Sequence, residues 1–389
     1  MALFIIGHYI QQGELNEANL LWLALIYWSC QLSIGPVWNA WINNLIGKAN
    51  GVHFFSNRGK LQEFSIMIGL FGAGLFLQHH PLKSSFAYLF YFSSALRFIS
   101  FLLIAEKDLP FEKLKPKYAN QESNFLSMMG MQVHYRDEGN KLDSLPIILL
   151  HGTSSSLNTW DSVVCYLKSK RRVISLDLPA FGLTGPAPIE KYSFQYYSTF
   201  LDSFCYQLKI NNCEVAGNSL GGGIAWHFAL DFPNRVKKLV LIDAVGFPKK
   251  NEKGSIGFKI ASTPIINNLL LYITPKGLVQ KSLETVYYNQ KMVTDAQVER
   301  FHDVAIRAGN RKALLSIFKN GLEQTPEKIK TITIPTLIIW GEKDLLIDVS
   351  NAFLFNKAIT GSKMVVFPNI GHVPMEEAPK KVADEIMEW

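Results

Sequence analysis

Three long stretches near the N-terminus carry almost no charged residue. Residues 18–47 and 64–82 contain no Asp, Glu, Lys or Arg, and residues 84–105 contain only Arg97. Apolar runs of about 20 residues match the hydrocarbon core of a bilayer. The pattern predicts about three membrane-spanning helices within residues 1–108, with buried core helices as the alternative. We expect these helices to contact membrane lipid.

The charged residues around these stretches predict an orientation. The segment before the first stretch has two glutamates and no lysine or arginine, whereas the loop after it contains Lys48, Arg58 and Lys60. Four lysines follow the third stretch within residues 107–117. Because positively charged loops tend to stay in the cytoplasm, we expect an integral membrane protein whose C-terminal part lies on the cytoplasmic face.

Beyond residue 108 the pattern changes to short apolar runs separated by helix-length segments. Residues 109–124 are rich in lysine and contain Pro110 and Pro116, which predicts a linker. Residues 125–139 indicate two short strands that turn at Met129-Gly130. Further apolar strands are predicted at residues 147–150, 173–178, 215–217, 239–243, 336–340 and 364–367. This alternation predicts a mostly parallel sheet with helices on both faces over residues 125–389.

One insertion interrupts the alternation. The segment between Asp243 and Thr336 is far longer than one helix requires, and residues 247–330 contain several helical candidates. A helical cap over the end of the sheet would exclude water and shape a pocket. A peripheral insertion without a role at the site is the alternative.

A turn of the form G-x-S-x-G joins one predicted strand to a helix. It reads Gly217-Asn218-Ser219-Leu220-Gly221, and its small flanking residues allow a turn too sharp for bulky neighbours. A serine in such a turn has an exposed hydroxyl close to a helix N-terminus, which suits a nucleophile. The pattern alone is weak, because a glycine-rich turn can also bind phosphate or only pack tightly.

The strand at residues 147–150 ends in His151-Gly152-Thr153. In an acyl-transfer enzyme this turn would place the backbone N–H of Thr153 opposite that of Leu220, the residue after the nucleophile. Two such donors would stabilise the negative oxygen of a tetrahedral intermediate. We expect His151 to shape the turn rather than to transfer protons.

An acid and a base follow two later strands. Asp344 comes after residues 336–340, and His372 comes after residues 364–367. Open α/β sheets place their sites at the carboxyl ends of strands, and the order Ser219, Asp344, His372 predicts a catalytic triad. His372 would accept the serine proton and Asp344 would orient the imidazole. Asp243 and Asp348 are rival acids, and Asp344 is preferred to them because its turn position matches the pattern of the family that the chain resembles, named below.

Composition narrows the chemistry further. The net charge of +7 is scattered over 389 residues, which does not favour nucleic-acid binding. Four cysteines without C-x-x-C spacing or clustered histidines favour neither a metal site nor a disulfide framework. Since no nucleotide loop or cofactor motif is present, we expect a reaction that needs neither metal nor cofactor.

Residues 118–389 resemble the α/β-hydrolase superfamily, in the branch of capped lipases, esterases and carbon–carbon bond hydrolases. Besides the motifs above, the resemblance rests on Asp-Leu-Pro-Ala-Phe-Gly at 177–182 and Gly-His-Val-Pro-Met-Glu at 371–376. It implies the α/β-hydrolase fold with a helical cap after the sixth strand, and a triad of Ser219, Asp344 and His372. Haloalkane dehalogenases and epoxide hydrolases use an aspartate nucleophile, so Ser219 argues against both.

The N-terminal region resembles a three-helix fragment of a major facilitator superfamily transporter. The resemblance rests on Gly-Pro-Val-Trp-Asn-Ala-Trp at 35–41, Phe-Phe-Ser-Asn-Arg at 54–58, three glycines at 69–74 and Arg97. Gly47 and Asn50 depart from the family pattern. Three helices cannot form the two packed halves that alternating access requires, so the resemblance implies an anchor rather than a transporter.

Together these features predict a membrane-anchored serine hydrolase that cleaves small or lipid-derived carboxylic esters through an acyl-enzyme. The sequence Gly-Asn-Ser at 217–219 also occurs in meta-cleavage product hydrolases, which cut a carbon–carbon bond with the same triad. Such a hydrolase is the enzymatic alternative. A non-catalytic membrane protein with a transporter-derived anchor is the alternative from another class.

Overall fold

The computed structural model describes residues 88, 91–92 and 107–389, except residues 190, 249–258, 262 and 264–265. By its internal contacts the chain forms two units, Met1–Ala105 and Glu106–Trp389. The predicted spans, their orientation and the transporter-like segments fall almost wholly outside the described residues. Among the described helices, none combines the length and the apolar character that crossing a membrane requires.

The second unit is built on one eight-stranded sheet, which confirms the predicted α/β fold. Its strands in chain order are β1 Ser123–Met128, β2 Met131–Gly139, β3 Ile147–Leu150, β4 Arg172–Leu176, β5 Cys213–Asn218, β6 Val236–Ile242, β7 Thr336–Gly341 and β8 Lys363–Phe367. The spatial order is β1-β2-β4-β3-β5-β6-β7-β8. Only the pairs β1–β2 and β2–β4 are antiparallel, and the other pairs are parallel.

Hydrophobic patterning explains the strands. All residues of β3, β5 and β7 are buried, because parallel strands in the centre of such a sheet are covered on both faces. The β1–β2 hairpin turns at Met129 and Gly130, which both have positive φ angles, as two-residue hairpin turns require.

Helices cover both faces of the sheet. In chain order they are α1 Phe111–Tyr118, α2 Asp161–Leu167, α3 Phe194–Gln207, α4 Leu220–Asp231, α5 Lys276–Val286, α6 Asp295–Ala305, α7 Asn310–Asn320, α8 Ser350–Ala358, α9 Pro374–Glu377 and α10 Pro379–Glu388. Helices α3, α4 and α8 supply one buried apolar cluster. Helices α2 and α10 supply a second one, and the sheet lies between the two.

The segment predicted as a linker, residues 109–124, belongs to the second unit. It contains α1, whose Leu114 is buried, and Leu109 exchanges two backbone hydrogen bonds with Ile306 and Ala308 at 2.8 Å. Lys117 forms ion pairs with Glu299 and Asp303 on α6. One of the lysines that suggested a solvated connection therefore has partners almost 200 residues away along the chain, which local composition cannot reveal.

The insertion between β6 and β7 is helical in its described part. It contains α5, α6 and α7, together with short 3-10 helices at Ile266–Leu271, Gln290–Met292 and Pro326–Thr331. Helix α6 is capped by Thr294, whose side chain forms a capping box with Gln297. We call this insertion the cap.

The strand register brings the predicted motifs to one edge of the sheet. Leu150 lies opposite Gly217, and Asn218 lies opposite Ile242, which in turn lies opposite Ile339. The residues that follow these strand ends, among them His151, Ser219 and Asp243, are consequently neighbours at the carboxyl edge.

Candidate active site

Ser219 occupies a strained turn between β5 and α4. Its backbone angles are φ 54° and ψ −116°, a region that non-glycine residues rarely adopt and that is common at functional sites. A Cβ at Gly217 would collide with the carbonyl of Gly221, and a Cβ at Gly221 would collide with that of Leu150. The turn therefore needs glycine on both sides of the serine, as the motif predicts.

The predicted oxyanion donors lie beside this turn. Gly152 is so close to the turn that a Cβ there would be 3.1 Å from the Cβ of Ser219. Thr153 lines the same cavity as Ser219. Within the described chain, neither the Thr153 nor the Leu220 backbone N–H donates a hydrogen bond, so both remain available to a substrate oxygen.

His151 is fully buried and is used for structure. Its Nε2 accepts a hydrogen bond from the Leu178 N–H at 3.0 Å, and its Nδ1 donates to the Gly152 carbonyl at 2.8 Å. These contacts specify a neutral ring, and burial lowers the pKa of His151. The histidine thereby joins the turn after β3 to the loop after β4.

His372 and Asp344 form a buried pair. The His372 Nδ1 lies 2.6 Å from the Asp344 Oδ2, and the Asp344 Oδ1 accepts backbone N–H groups from Leu346 and Ile347 at 2.7 and 3.0 Å. These three donors hold the carboxylate in place. With Nδ1 used as the donor to Asp344, Nε2 of His372 is the nitrogen left to accept a proton.

The two rival acids have other partners. The Asp348 Oδ1 accepts the Ser350 N–H at 2.9 Å at the start of α8, and this hydrogen bonding lowers its pKa. Asp243 is buried behind Asp344, and its Oδ1 accepts the Gly341 N–H at 3.0 Å. The contact with the His372 ring nitrogen belongs to Asp344, the acid preferred from the sequence.

One cavity connects the predicted nucleophile, Ser219, and the predicted base, His372. Ser219, His372 and Thr153 line it together with apolar side chains that come mainly from the cap. These include Leu278, Leu283, Val286, Phe301, Leu314 and Leu346. The arrangement can hold an apolar group next to a serine hydroxyl and a neutral imidazole.

The sequence model of a protein family, described as the alpha/beta hydrolase fold, matches residues 146–379. This range contains the Ser219 turn, the predicted acid and base, and the cap. The chain belongs to the alpha/beta hydrolase family.

Several members of the family are similar to this hydrolase. A 2-hydroxy-6-oxo-2,4-heptadienoate hydrolase of Pseudomonas putida is 27% identical over 58% of this chain and 82% of its own length. Lipase 3 of a Moraxella species is 27% identical over 64% of this chain and 78% of its own length. The crystal structure of a meta-cleavage product hydrolase from Pseudomonas fluorescens has a TM-score of 0.60, with 25% identity over 69% of this chain and 98% of that one. These similarities support a hydrolase.

Asn218 connects the elbow of the hydrolase to the loop of its histidine. The Asn218 Nδ2 donates to the carbonyl oxygens of His372 and Ile242, at 3.0 and 3.3 Å. The Gly-Asn-Ser motif indicated no separate role for Asn218. The local signal was its position directly before Ser219, at the buried end of β5.

The cap is bonded to the same histidine loop. The His372 N–H donates to the Val286 carbonyl at 2.8 Å. The side chain of Glu377 accepts the Gly371 N–H at 2.7 Å and the cap's Asn289 N–H at 3.0 Å. The end of α5 is therefore a structural support of His372, and not only a cover over the cavity.

Glu376 adds a second connection between cap and core. Its carboxyl group accepts hydrogen bonds from the hydroxyls of Thr159 and Tyr287, and from the Gln297 Nε2 at 3.3 Å. Burial raises the pKa of Glu376 and that of the Tyr287 phenol. No local sequence pattern indicates a role for this glutamate, because its partners are 79 to 217 residues away in the chain.

Asp243, Asp344 and His372 also approach one another closely enough to be considered as metal ligands, with one atom from each within 4.8 Å of the others. The 2.6 Å between His372 Nδ1 and Asp344 Oδ2 is a hydrogen-bond distance, whereas two atoms bonded at about 2 Å to a tetrahedral metal ion lie roughly 3.3 Å apart. The donor set suits a hydrogen-bonded triad better than a metal centre.

Proposed function

We propose that this hydrolase is a membrane-anchored serine esterase or lipase that cleaves carboxylic esters through an acyl-enzyme. The observation that carries the proposal is the strained Ser219 elbow in one cavity with a His372 whose Nδ1 is 2.6 Å from Asp344. A hydroxyl, a neutral imidazole and an orienting carboxylate are the parts that activate a serine.

The reaction would begin when the Ser219 Oγ attacks the ester carbonyl and its proton passes to His372 Nε2. The backbone N–H groups of Thr153 and Leu220 stabilise the oxyanion. His372 then protonates the departing alcohol, and Asp344 stabilises the charged imidazole meanwhile. Water, activated by the same histidine, releases the acid from Ser219.

The cavity supports an apolar acyl group as the substrate's main recognition element. Its lining from α5, α6 and α7 is largely aliphatic and aromatic, and burial of each methylene contributes about 0.8 kcal/mol to binding. The apolar runs within residues 18–105 support an anchor that keeps the site at the cytoplasmic face of a membrane, where apolar esters accumulate.

A fluorophosphonate probe tests the nucleophile directly. We expect the purified protein to be labelled at Ser219, and Ser219→Ala to lose both labelling and hydrolysis of p-nitrophenyl esters. Ser169→Ala, a change at an exposed serine far from the motif, serves as the control and should keep both. Absence of labelling in the folded wild-type protein would favour a non-catalytic membrane protein instead.

Anchoring is tested by flotation with lipid vesicles. The full chain should float with the vesicles, whereas residues 106–389, which form the second unit, should remain at the bottom. Flotation of both, or of neither, would contradict an anchor in the N-terminal unit.

Carbon–carbon bond hydrolysis is the second candidate, and the similarity to meta-cleavage product hydrolases favours it. Such substrates carry a carboxylate, for which the site should offer a cation. Arg311 lines the cavity, but its Nη2 is 2.6 Å from Asp108 Oδ1, which reduces its attraction for an anion. Side-by-side rates on a p-nitrophenyl ester and on 2-hydroxy-6-oxo-2,4-heptadienoate decide between the two activities.

A further inference from the structure

Asp243 is a buried acid directly behind the triad. It follows β6 with a φ angle of 44°, and its side chain is fully buried. Its backbone N–H donates to the Ile339 carbonyl at 3.1 Å, and its Oδ1 accepts the Gly341 N–H at 3.0 Å. Both contacts fix the carboxyl group against the end of β7, where the turn to Asp344 begins.

The second oxygen of Asp243 is the unusual atom. Oδ2 is buried and has no hydrogen-bond partner among the described residues. Asp243 and Asp344 nevertheless present atoms within 4.8 Å of each other and of the His372 ring. A buried oxygen without a donor is costly, unless it carries a proton of its own and donates it.

The surroundings decide which of the two acids holds that proton. Asp344 accepts three N–H groups, from Leu346, Ile347 and His372, and each of them favours its ionised form. Asp243 accepts only one N–H group of the described residues, that of Gly341. Since two adjacent carboxylates in a buried site cannot both be charged at low cost, the proton belongs on Asp243.

We propose that Asp243 is a positioning residue of the triad: a neutral carboxylic acid whose Oδ2–H donates to the Asp344 carboxylate. This inference rests on the proposed serine-hydrolase function. The added hydrogen bond withdraws negative charge from Asp344, so we expect the acid limb of the kcat/KM pH profile to lie at a lower pH than without it. It also supplies the donor that the buried Oδ2 otherwise lacks.

The electrostatic surroundings agree with this assignment. Burial and the neighbouring Asp344 charge raise the pKa of Asp243 well above its usual range, with a smaller contribution from Glu377. The charged or titratable groups that face it are thus Asp344, His372 and Glu377. Asp243 would ionise only when the pH rises through its raised pKa, and it would then repel Asp344.

Two substitutions of Asp243 separate positioning from mere packing. Asp243→Asn is neutral and keeps an N–H donor. We therefore expect its kcat/KM to stay within about threefold of the wild type, and the acid limb of its kcat/KM pH profile not to shift. Asp243→Leu has a similar size and no donor. Loss of one hydrogen bond to a charged group corresponds to about a tenfold change, so the acid limb of kcat/KM should move upward by about one pH unit.

Two kinetic results would overturn the proposal. One is a loss in Asp243→Asn as large as that in Asp344→Asn, which would make Asp243 an ionised member of the triad. The other is an Asp243→Leu variant that folds, by thermal unfolding, and keeps the wild-type acid limb.

A spectroscopic test needs neither substrate nor the leucine variant. The infrared difference spectrum of the full-length wild type minus Asp243→Asn at pH 7 should contain the carbonyl band of an un-ionised carboxylic acid, shifted by ¹³C-labelled aspartate. A carboxylate band in its place would refute a protonated Asp243. If the acid band is present but no ester is cleaved, the proposed function fails while the assignment of the proton stands.

Discussion

The bond from Asn218 to the histidine loop leads to a prediction with a calculable size. In Asn218→Ala the His372 carbonyl loses the Nδ2 donor at 3.0 Å, whereas the Ile242 carbonyl still accepts the Ser219 N–H at 3.0 Å. One buried acceptor is thus left unsatisfied, at a cost of about 1–3 kcal/mol. We expect the melting temperature to fall by about 5 °C, since one kcal/mol corresponds to about 2–4 °C in a domain of this size.

The catalytic effect should exceed the effect on stability. The His372 ring has to meet the Ser219 hydroxyl, and a displacement of about 1 Å costs about 10²-fold in rate. We expect kcat on a p-nitrophenyl ester to fall by about that factor in Asn218→Ala, with KM little changed, when the variant and the wild type are both measured well below their melting temperatures.

Asn310→Ala is the matched control. The Asn310 amide also donates to two backbone carbonyls, those of Gly182 and Val304, and the residue is equally buried. The melting temperature of Asn310→Ala should fall by a similar amount to that of Asn218→Ala, while its kcat should stay that of the wild type. If both variants lose the same fraction of activity, or neither does, the argument that Asn218 positions His372 is refuted.

Four further predictions follow from other contacts of the site. Asp344→Asn removes the carboxylate that orients His372 and should lower kcat by about 10⁴-fold, measured with the folded variant; a loss below tenfold would contradict its role. Gly221→Ala forces a Cβ against the Leu150 carbonyl and should lower the free energy of unfolding by about 1–3 kcal/mol, measured by thermal unfolding. Its control is Gly361→Ala, whose Cβ would meet no atom of the described residues within 4 Å and which tests only the cost of the left-handed backbone. Tyr287→Phe removes one donor to Glu376 and should weaken the cap's support of the cavity, raising KM more than it lowers kcat. Because folding raises the pKa of Asp243, the folded protein keeps a proton that the unfolded chain releases above about pH 4, so stability falls as pH rises. Asp243→Asn should remove this contribution to the pH dependence of the free energy of unfolding. Between pH 5 and the raised pKa, the ratio of the unfolding constants of variant and wild type should then change by up to about tenfold per pH unit. Curves of unfolding free energy against pH that run parallel for the two proteins would contradict the prediction.

Local sequence patterns predicted the sheet and the elbow well. Central parallel strands are buried on both faces, so they form continuous apolar runs, and Ile147–Leu150 and Thr336–Gly341 differ from the predicted bounds by at most one residue. The elbow was equally readable, since glycines on both sides of Ser219 are required by contacts within or next to the turn.

The tertiary structure decided which side chains act together. The pairing of Lys117 with Asp303, the bond from Asn218 to the His372 carbonyl and the contacts of Glu376 with the cap join residues far apart in the chain. The spacing of apolar and polar residues along the chain does not predict such contacts, because each depends on where folding places a second helix, strand or loop. The same holds for Asp243, which the sequence presented as a rival acid. Only the packing of β6 against β7 places it behind Asp344, where burial and a neighbouring charge favour a proton over an ion.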